Sequence, residues 1–428
     1  MYKLLDLVKN GVSPFHTVKR IREQLEKAGF LLFDFSQSNK KEQGYFIDLG
    51  SALFAFKVNQ NWGKKEDSQQ NHSVRIAAAH TDSPCFRLKP KAKIKNGKYL
   101  QANVEVYGGV IRSTWMDRPL SLAGRVSCKG QNAWQPQSYL FHPDKTLLTI
   151  PNLAIHLNPK ANQGLEIHPQ KELIPIYSTI EEQMKEIEIS AIIAKELKKK
   201  EEEILDYELY VYNHEEAEIW GINQEFISGP RLDNLTSVQA CISGLLDAKR
   251  EDGLDMVALF DHEEIGSRTK QGANSAVLGN LLERIFEHFG LTRKDFLQAI
   301  AGNESFLLSV DTAHATHPNY GEKYDPTNPV YLNSGFACKL SSRQSYATDS
   351  MAIAIIESLC REKGISYQKY VNHSDIAGGG TLGVLASANL AMQAADIGLP
   401  MLAMHSARET IGAKDVLALT QFLTEFFS

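Results

Sequence analysis

Five short polar clusters in this 428-residue chain carry histidine and carboxylate side chains that could bind divalent metal ions. They are HTD at 80–82, RLDN at 231–234, DHEE at 261–264, DTAH at 311–314 and MHS at 404–406. Imidazole and carboxylate ligands suit zinc, and they also suit cobalt or manganese. A lone histidine after a strand is more often structural, so the prediction depends on the whole set. Two histidines and three carboxylates would suit two metals that share one bridging carboxylate.

The same clusters supply groups for acid–base chemistry. Two metals about 3.5–4 Å apart hold a water molecule between them and lower its pKa towards ~7, but the water still needs a base. Glu263 lies next to the candidate ligand Glu264. Neighbouring side chains diverge in a loop, so Glu263 can face the water while Glu264 binds metal. Asp82, two residues beyond His80, fits a carboxylate that orients a metal-bound imidazole.

The elements predicted around these clusters would bring them to one edge of a sheet. Strands are predicted at 73–79, 256–260, 306–310 and 401–404, and four of the clusters follow them directly. The RLDN cluster comes just before a helix predicted over 237–249. In open α/β sheets, ligands bind beyond the carboxyl ends of the strands. The placement therefore favours a single functional site.

The remaining pattern predicts an α/β domain with an insertion. A first helix is predicted to begin after Ser13, and from residue 237 helices and strands alternate, including a helix at 385–394. The alternation is typical of a mostly parallel sheet with helices on both faces. In the middle of the chain, between the N-terminal part and this alternating part, strand-like pieces are broken by Gly, Pro and Asn, and an amphipathic helix is predicted at 184–204. We expect a domain of residues 1–90 and 228–428, interrupted by a β-rich insert at 91–227.

Composition excludes several classes of protein. Hydrophobic residues make up 43% and charged residues 23%, which is typical of a globular chain and not of a disordered or fibrous one. The net charge of −5 argues against nucleic acid or an anionic membrane as the main partner. Five widely spaced cysteines without a CxxC motif favour neither disulfides nor a thiolate zinc site. The N-terminal MYKLLDLVKNG has no apolar signal-peptide core, which predicts a cytoplasmic protein.

Longer motifs around the clusters resemble the aspartyl aminopeptidase family of metallopeptidases. They are HTDSP at 80–84, SGPRLDN at 228–234, DHEEIGS at 261–267, SVDTAHATHPNY at 309–320 and MHSARE at 404–409. The match follows the family's order across nearly the whole chain. Related di-zinc aminopeptidases share the order of ligands but not the HTDSP, RLDN or AHATHPNY sequences. The resemblance implies a zinc-exopeptidase-like α/β/α sandwich that removes N-terminal residues, above all Asp or Glu, from short peptides.

The resemblance also implies a role for each site residue. One metal would be bound by His80 and Asp311, the other by Glu264 and His405, and Asp233 would bridge the two. Glu263 would be the general base, and Asp82 would support His80. The resemblance thus implies two divalent metals per subunit, zinc first among them.

Three further residues have roles only through the resemblance. The stretch LAIHL at 153–157 matches a family segment whose histidine enters a neighbouring subunit's site, so His156 is a candidate transition-state donor supplied in trans. Segment 339–347 matches a motif whose lysine faces the acidic side chain of the substrate, so Lys339 would select Asp or Glu by charge pairing. Tyr346 could line the same pocket or simply pack. The resemblance further implies a tetrahedral dodecamer in which the β-rich insert mediates contacts.

One segment departs from the family pattern. Residues 376–383, IAGGGTLG, stand where family members carry Pro-Cys-Gly ahead of Thr-Ile-Gly. The departure leaves the substrate preference open, but not the metals. Alternative functions are an aminopeptidase of broad or neutral specificity and another di-metal amide hydrolase, such as a deacylase. A non-catalytic binding protein on the same fold is disfavoured, because every candidate ligand and the base are present.

Overall fold

The computed structural model describes residues 1–41, 43–62, 72–164, 166–180 and 186–428. Within these ranges the helices are α1 Tyr2–Asn10, α2 Pro14–Lys27, α3 Pro169–Glu172, α4 Ile189–Leu197, α5 Leu232–Asp247, α6 Val277–His288, α7 Arg293–Ile300, α8 Ser350–Lys363, α9 Leu382–Leu390 and α10 Ala413–Phe426. The strands are β1 Leu31–Leu32, β2 Gly44–Asp48, β3 Leu53–Val58, β4 Val74–His80, β5 Cys85–Asn96, β6 Tyr99–Tyr107, β7 Leu120–Cys128, β8 Gln137–Phe141, β9 Ile176–Thr179, β10 Ile204–Asn213, β11 Glu218–Trp220, β12 Phe226–Gly229, β13 Leu254–Phe260, β14 Phe306–His314, β15 Phe336–Lys339, β16 Tyr367–Tyr370, β17 Ala394–Leu402 and β18 Glu409–Gly412.

The strands in the described ranges form a large sheet and a small sheet. The large sheet has the order β1-β2-β3-β13-β4-β14-β17-β18-β12-β11, and β15 pairs with β17 and β16. Its central strands β13, β4, β14 and β17 are parallel to one another. Antiparallel strands flank them on both sides, at β3 and at β18. The four parallel strands therefore end at the same edge of the sheet.

Helices cover both faces of the large sheet. Along β13, Val257 and Leu259 pack into one apolar core with α1, α2, α5, α8 and α10. The alternate residues Met256, Ala258 and Phe260 pack into a second core with α6, α7 and α9. Successive side chains of a strand point to opposite faces, so an apolar run of this kind needs helices on both sides. The predicted α/β/α sandwich is confirmed.

The small sheet is antiparallel and has its own core. Its order is β8-β7-β10-β5-β6-β9, and α4 packs against it through Ile189 and Ile193. It begins at Cys85 and ends at Asn213, whereas β11 and β12 lie in the large sheet. The insert at 91–227 stays a prediction, and from sheet membership we propose that the inserted unit spans residues 85–213.

Several predicted elements differ in extent from the observed ones. The helix at 184–204 is observed only as α4, because Lys198 is left-handed (φ 53°) and ends it; residues 184–185 lie outside the described ranges. The strand predicted at 401–404 is instead β17, which begins at Ala394, where a helix was expected to end. This strand is buried along nearly all its length, so it lacks the alternation that separates strand from helix.

The predicted N-terminal helix is correct in its start. Ser13 caps α2, accepting a hydrogen bond from the backbone N–H of His16, and Pro14 occupies the first turn. It is the second helix, since α1 precedes it. In the described parts of the chain, no helix combines the length and apolar character needed to cross a bilayer.

Candidate metal centre

The predicted ligands on β4 and β14 lie side by side. His80 is the last residue of β4. Ser309 of β14 is opposite Ala78 of β4, which places Asp311 level with His80. Asp311 lies inside its strand and not beyond the end as predicted, because β14 continues to His314 in register with β17.

The other three ligands follow strand ends. Asp233 lies in the first turn of α5, where its φ/ψ are not helical and its peptide bond to Asn234 is cis. Glu264 lies in a 3-10 turn just after β13. His405 follows β17 in a left-handed conformation (φ 67°). Irregular backbone at these three points brings the side chains over the carboxyl edge of the sheet.

The ligand atoms form two groups that share Asp233. His80 Nε2 lies 3.5 Å from Asp233 Oδ1 and 3.5 Å from Asp311 Oδ1. His405 Nε2 lies 3.6 Å from Asp233 Oδ2 and 3.5 Å from Glu264 Oε2. Single ligand atoms of His80, Asp233 and Glu264 also lie within 4.8 Å of one another. The two oxygens of Asp233 thus face different histidines, as a bridging carboxylate requires.

The donor groups fit divalent metal ions. His80 Nδ1 lies 3.1 Å from the carbonyl oxygen of Asp82, and His405 Nδ1 lies 3.0 Å from that of Gly109. A carbonyl oxygen only accepts, so each Nδ1 donates and a neutral ring keeps its lone pair on Nε2. Among the described residues, the buried Asp233 Oδ1 has no hydrogen-bond partner. Two imidazole nitrogens facing three carboxylates suit zinc, and they also suit cobalt or manganese.

Electrostatics at the site also favour bound cations. Burial favours a neutral imidazole, but Asp233 and Asp311 raise the pKa of His80 well above its usual value. Against the same effect of burial, Asp233 and Glu264 raise the pKa of His405 to about 10. Burial opposes ionisation of Asp233, but the nearby His405 and His80 hold its pKa far below the usual range. The raised pKa values mean that protons on the two histidines balance the negative charge of the carboxylates. Divalent cations bound at the site would balance the same charge.

Glu263 and Glu264 are fixed through their backbone by Asp82. The N–H groups of both residues donate to the Asp82 carboxylate, each at 3.2 Å. Burial raises the pKa of Glu263 to about 7 and that of Glu264 well above its usual value. A carboxyl group with a pKa near neutrality is matched to taking and returning a proton.

Two buried carboxylates organise the loops that carry the ligands. Burial opposes ionisation of Asp82, but hydrogen bonds from His80 and Tyr107 lower its pKa below the usual value. Glu409 accepts the backbone N–H of Asp233 at 3.0 Å and that of His405 at 2.8 Å. Burial raises the pKa of Glu409 to about 8.

Sequence reasoning missed the second of these carboxylates and one of their partners. It gave Glu409 no role, although the MHSARE motif contains it. Tyr107 carries no sequence signal, since it lies in a strand of the small sheet.

A cavity of about 290 Å³ opens over the site. Besides the ligands and Glu263, it is lined by Thr312, Ala313, His314, Lys339, Tyr346, Tyr370, Gly379, Gly380 and Met404. Lys339 is buried: its Nζ donates to the Thr312 carbonyl oxygen at 2.7 Å and lies 3.3 Å from Asp311 Oδ2. The Nζ also lies 5.0 Å from the ring centre of Tyr346. Lys339 and Tyr346 thus both border the cavity, and their role towards a substrate stays a prediction. Sequence reasoning did not predict the contact of Lys339 with the candidate ligand Asp311.

A second cavity of about 460 Å³ adjoins the first and shares Glu263, Glu264 and His405 with it. Its lining includes Val384 and Leu385, just beyond the glycine-rich segment that departs from the family pattern. The two cavities thus meet at Glu263, Glu264 and His405.

His156 lies apart from this site. It is exposed, in a segment after β8 that does not line either cavity. Its apolar neighbours Leu153, Ile155 and Leu157 are 55%, 51% and 73% exposed. Within one chain the structure therefore does not bring His156 to the metal ligands.

Known proteins resemble this chain over its full length. Residues 7–427 match the family described as aminopeptidase I zinc metalloprotease (M18). A probable M18 family aminopeptidase 2 from Clostridium acetobutylicum is 42% identical over 433 residues, covering 100% of this chain and 98% of the relative.

Solved structures agree with the sequence relatives. The chain in a cryo-EM structure of the Ape4 and Nbr1 complex is 34% identical with a TM-score of 0.93, covering 100% of this chain and 85% of that one. The S. cerevisiae mApe1 dodecamer is 25% identical with a TM-score of 0.84, covering 100% and 95%. The family resemblance inferred from the motifs is confirmed. The chain belongs to the M18 family of zinc metalloproteases, and it is a metallo-aminopeptidase.

Proposed function

We propose that this chain removes N-terminal Asp or Glu from short peptides with two zinc ions and Glu263 as general base. The observation that carries the proposal is the pair of ligand groups sharing Asp233, with Glu263 bordering the same cavity. His80 and Asp311 would bind one ion, and Glu264 and His405 the other. When bound, such ions lower the pKa of a water molecule and polarise the carbonyl to be cleaved.

Glu263 would move the protons of this reaction. Its carboxylate takes a proton from the attacking water and then donates it to the leaving amine, since one carboxyl group can serve first as base and then as acid. Asp82 fixes the backbone of Glu263 and the ring of His80 together. The distance between base and ligand is thereby set before the substrate enters.

The test of the whole proposal is a substrate panel. We expect the zinc-loaded chain to cleave amides with N-terminal Asp and Glu faster than those with Leu or Lys. Faster cleavage of amides with neutral N-terminal residues would mean that the enzyme is an aminopeptidase of broad or neutral specificity. No cleavage of any of these amides, with both metals bound, would favour a deacylase instead.

Lys339 is the residue we propose for acidic selectivity. It is a buried cation at the wall of the cavity that holds the ligands. An ammonium has three donors, and two of them reach Thr312 and Asp311, which leaves one for a carboxylate of the substrate. A charge-assisted bond in such a buried place is strong.

Replacing Lys339 by Met should weaken the preference for acidic substrates. We expect kcat/KM for N-terminal Asp amides to fall roughly 10–100-fold relative to Leu amides, because a buried charge partner is lost. The ratio of the two kcat/KM values is the measurement, since it cancels any loss of metal. The control is Lys369→Met on the neighbouring strand, where the lysine pairs with Glu357. An unchanged ratio in Lys339→Met would contradict the assignment.

We also propose a homo-oligomer, a tetrahedral dodecamer, in which His156 acts in the site of a neighbouring subunit. The exposed apolar residues around His156 support a contact with another chain. The related mApe1 of S. cerevisiae forms a dodecamer. In this arrangement His156 would donate a hydrogen bond to the oxyanion that forms in the transition state.

Mixed oligomers test this exchange of residues. His156→Ala alone should lower kcat about 10²–10³-fold, as for the loss of one oxyanion donor. Chains with His156→Ala co-expressed with Glu263→Gln chains should regain activity, because some sites then combine an intact Glu263 with an intact His156. With random pairing about a quarter of the sites recover. No recovery in oligomers shown to contain both chains would mean that His156 does not act in trans.

A further inference from the structure

We propose that the turn at the end of strand β6, residues 107–109, positions both histidines of the metal centre. This turn follows a strand of the small sheet, whereas the ligands lie in strands of the large sheet or in segments that follow them. The small sheet would then do more than join subunits, because it would set the geometry of the ligands. The inference rests on the proposed metal site and adds residues that act through its ligands.

Tyr107 acts on the first histidine through Asp82. Its hydroxyl donates to Asp82 Oδ2 at 2.8 Å, and both side chains are buried. The other carboxylate oxygen, Asp82 Oδ1, lies 3.4 Å from His80 Nδ1. The same carboxylate receives the backbone N–H groups of Glu263 and Glu264. Tyr107 therefore fixes a side chain, Asp82, that contacts both a ligand histidine and the loop of the base.

Gly109 acts on the second histidine directly. Its carbonyl oxygen lies 3.0 Å from His405 Nδ1, which sets the orientation of the ring. Two residues on, the backbone N–H of Ile111 donates to the carbonyl oxygen of His405 at 3.0 Å. Thr114 Oγ1 accepts the backbone N–H of Ala407 at 2.9 Å. The turn and the segment after it thus hold the loop of His405 at three points.

The two glycines let the turn approach the ligands. Gly108 is left-handed (φ 72°), and a Cβ there would lie 3.1 Å from the Cβ of Glu264. A Cβ on Gly109 would lie 3.2 Å from His405 Nδ1. Any larger residue at these positions would push on a ligand, so the backbone of the turn is in van der Waals contact with the centre.

Groups that orient metal-bound histidines typically change metal affinity about 10–100-fold when removed. Tyr107→Phe removes only the hydroxyl and keeps the ring in its packing against Tyr210. We expect its dissociation constant for zinc, measured in the full chain by chelator competition, to rise about 10–100-fold. We also expect its metal-free form to unfold at nearly the wild-type temperature. If Tyr107 were merely structural, the variant would instead bind zinc as tightly as the wild type and its metal-free form would unfold at a lower temperature.

The matched control is Tyr45→Phe. Tyr45 is also buried, and its hydroxyl is hydrogen-bonded to the backbone of Lys40, away from the ligands. Its zinc affinity should equal that of the wild type. Equal zinc affinity of Tyr107→Phe and wild type would overturn the inference.

Gly109→Ala is the second variant and decides the matter if Tyr107→Phe does not fold. Its added methyl group presses on the ring of His405, so zinc affinity should fall while the fold is kept. Wild-type affinity in Gly109→Ala would overturn the inference. Failure of this inference can be distinguished from failure of the proposed function. In the second case the wild-type chain itself would bind fewer than two zinc ions.

Discussion

Replacing Glu263 by Gln is expected to lower kcat by about 10²–10⁴-fold, the usual contribution of a general acid–base group. Glutamine has nearly the same shape but accepts no proton. The backbone N–H of residue 263 still donates to Asp82, so the loop keeps its place. The zinc content should stay at the wild-type value, because Glu263 is not among the proposed ligands. Steady-state kinetics on an N-terminal Asp amide, together with metal analysis of the same sample, measure both quantities.

The neighbouring variant Glu264→Gln is the control for this prediction. Glu264 Oε2 faces His405 Nε2 at 3.5 Å, so its loss should remove metal as well as activity. Zinc content kept in Glu263→Gln but lost in Glu264→Gln would separate base from ligand. If Glu263→Gln kept most of the wild-type kcat, another group would have to take the proton.

Asp233→Asn should have an effect at least as large on activity and a greater one on metal content. Both carboxylate oxygens face histidines, and Asn can offer only one oxygen. Bound metals would supply several kcal/mol of transition-state stabilisation, so we expect kcat to fall about 10³-fold or more. Zinc per chain, measured by mass spectrometry of metals, should fall below the wild-type value.

Asp311→Asn distinguishes a terminal ligand from the bridging one. Asp311 contacts His80 but not His405, so the group of Asp233, Glu264 and His405 stays complete in this variant. We expect it to lose one ion and Asp233→Asn to affect both. Equal loss in the two variants would contradict the bridging role of Asp233.

The location of the site could be predicted from the sequence for a simple physical reason. Buried parallel strands are continuous apolar runs, so a polar cluster directly after one of them marks the carboxyl edge of the sheet. His80 and the DHEE cluster follow such runs and lie at that edge. Asp311 was harder to place, because β14 runs through it to pair with β17.

The support of the site could not be predicted in the same way. Tyr107 is a strand residue with no local signal, and its contact with Asp82 joins the small sheet to the loop after β4. Glu409 bonds to backbone groups of Asp233 and His405, and such partners depend on the path of the loops. The contact of Lys339 with Asp311 likewise joins two strands far apart in sequence.

The most direct test of the account is a calorimetric titration of zinc into the metal-free chain, with activity on an N-terminal Asp amide followed in parallel. We predict two ions per wild-type chain, with full activity reached only when both are bound. Binding of a single ion that gives full activity would contradict the shared-carboxylate centre and the role of Asp233 within it.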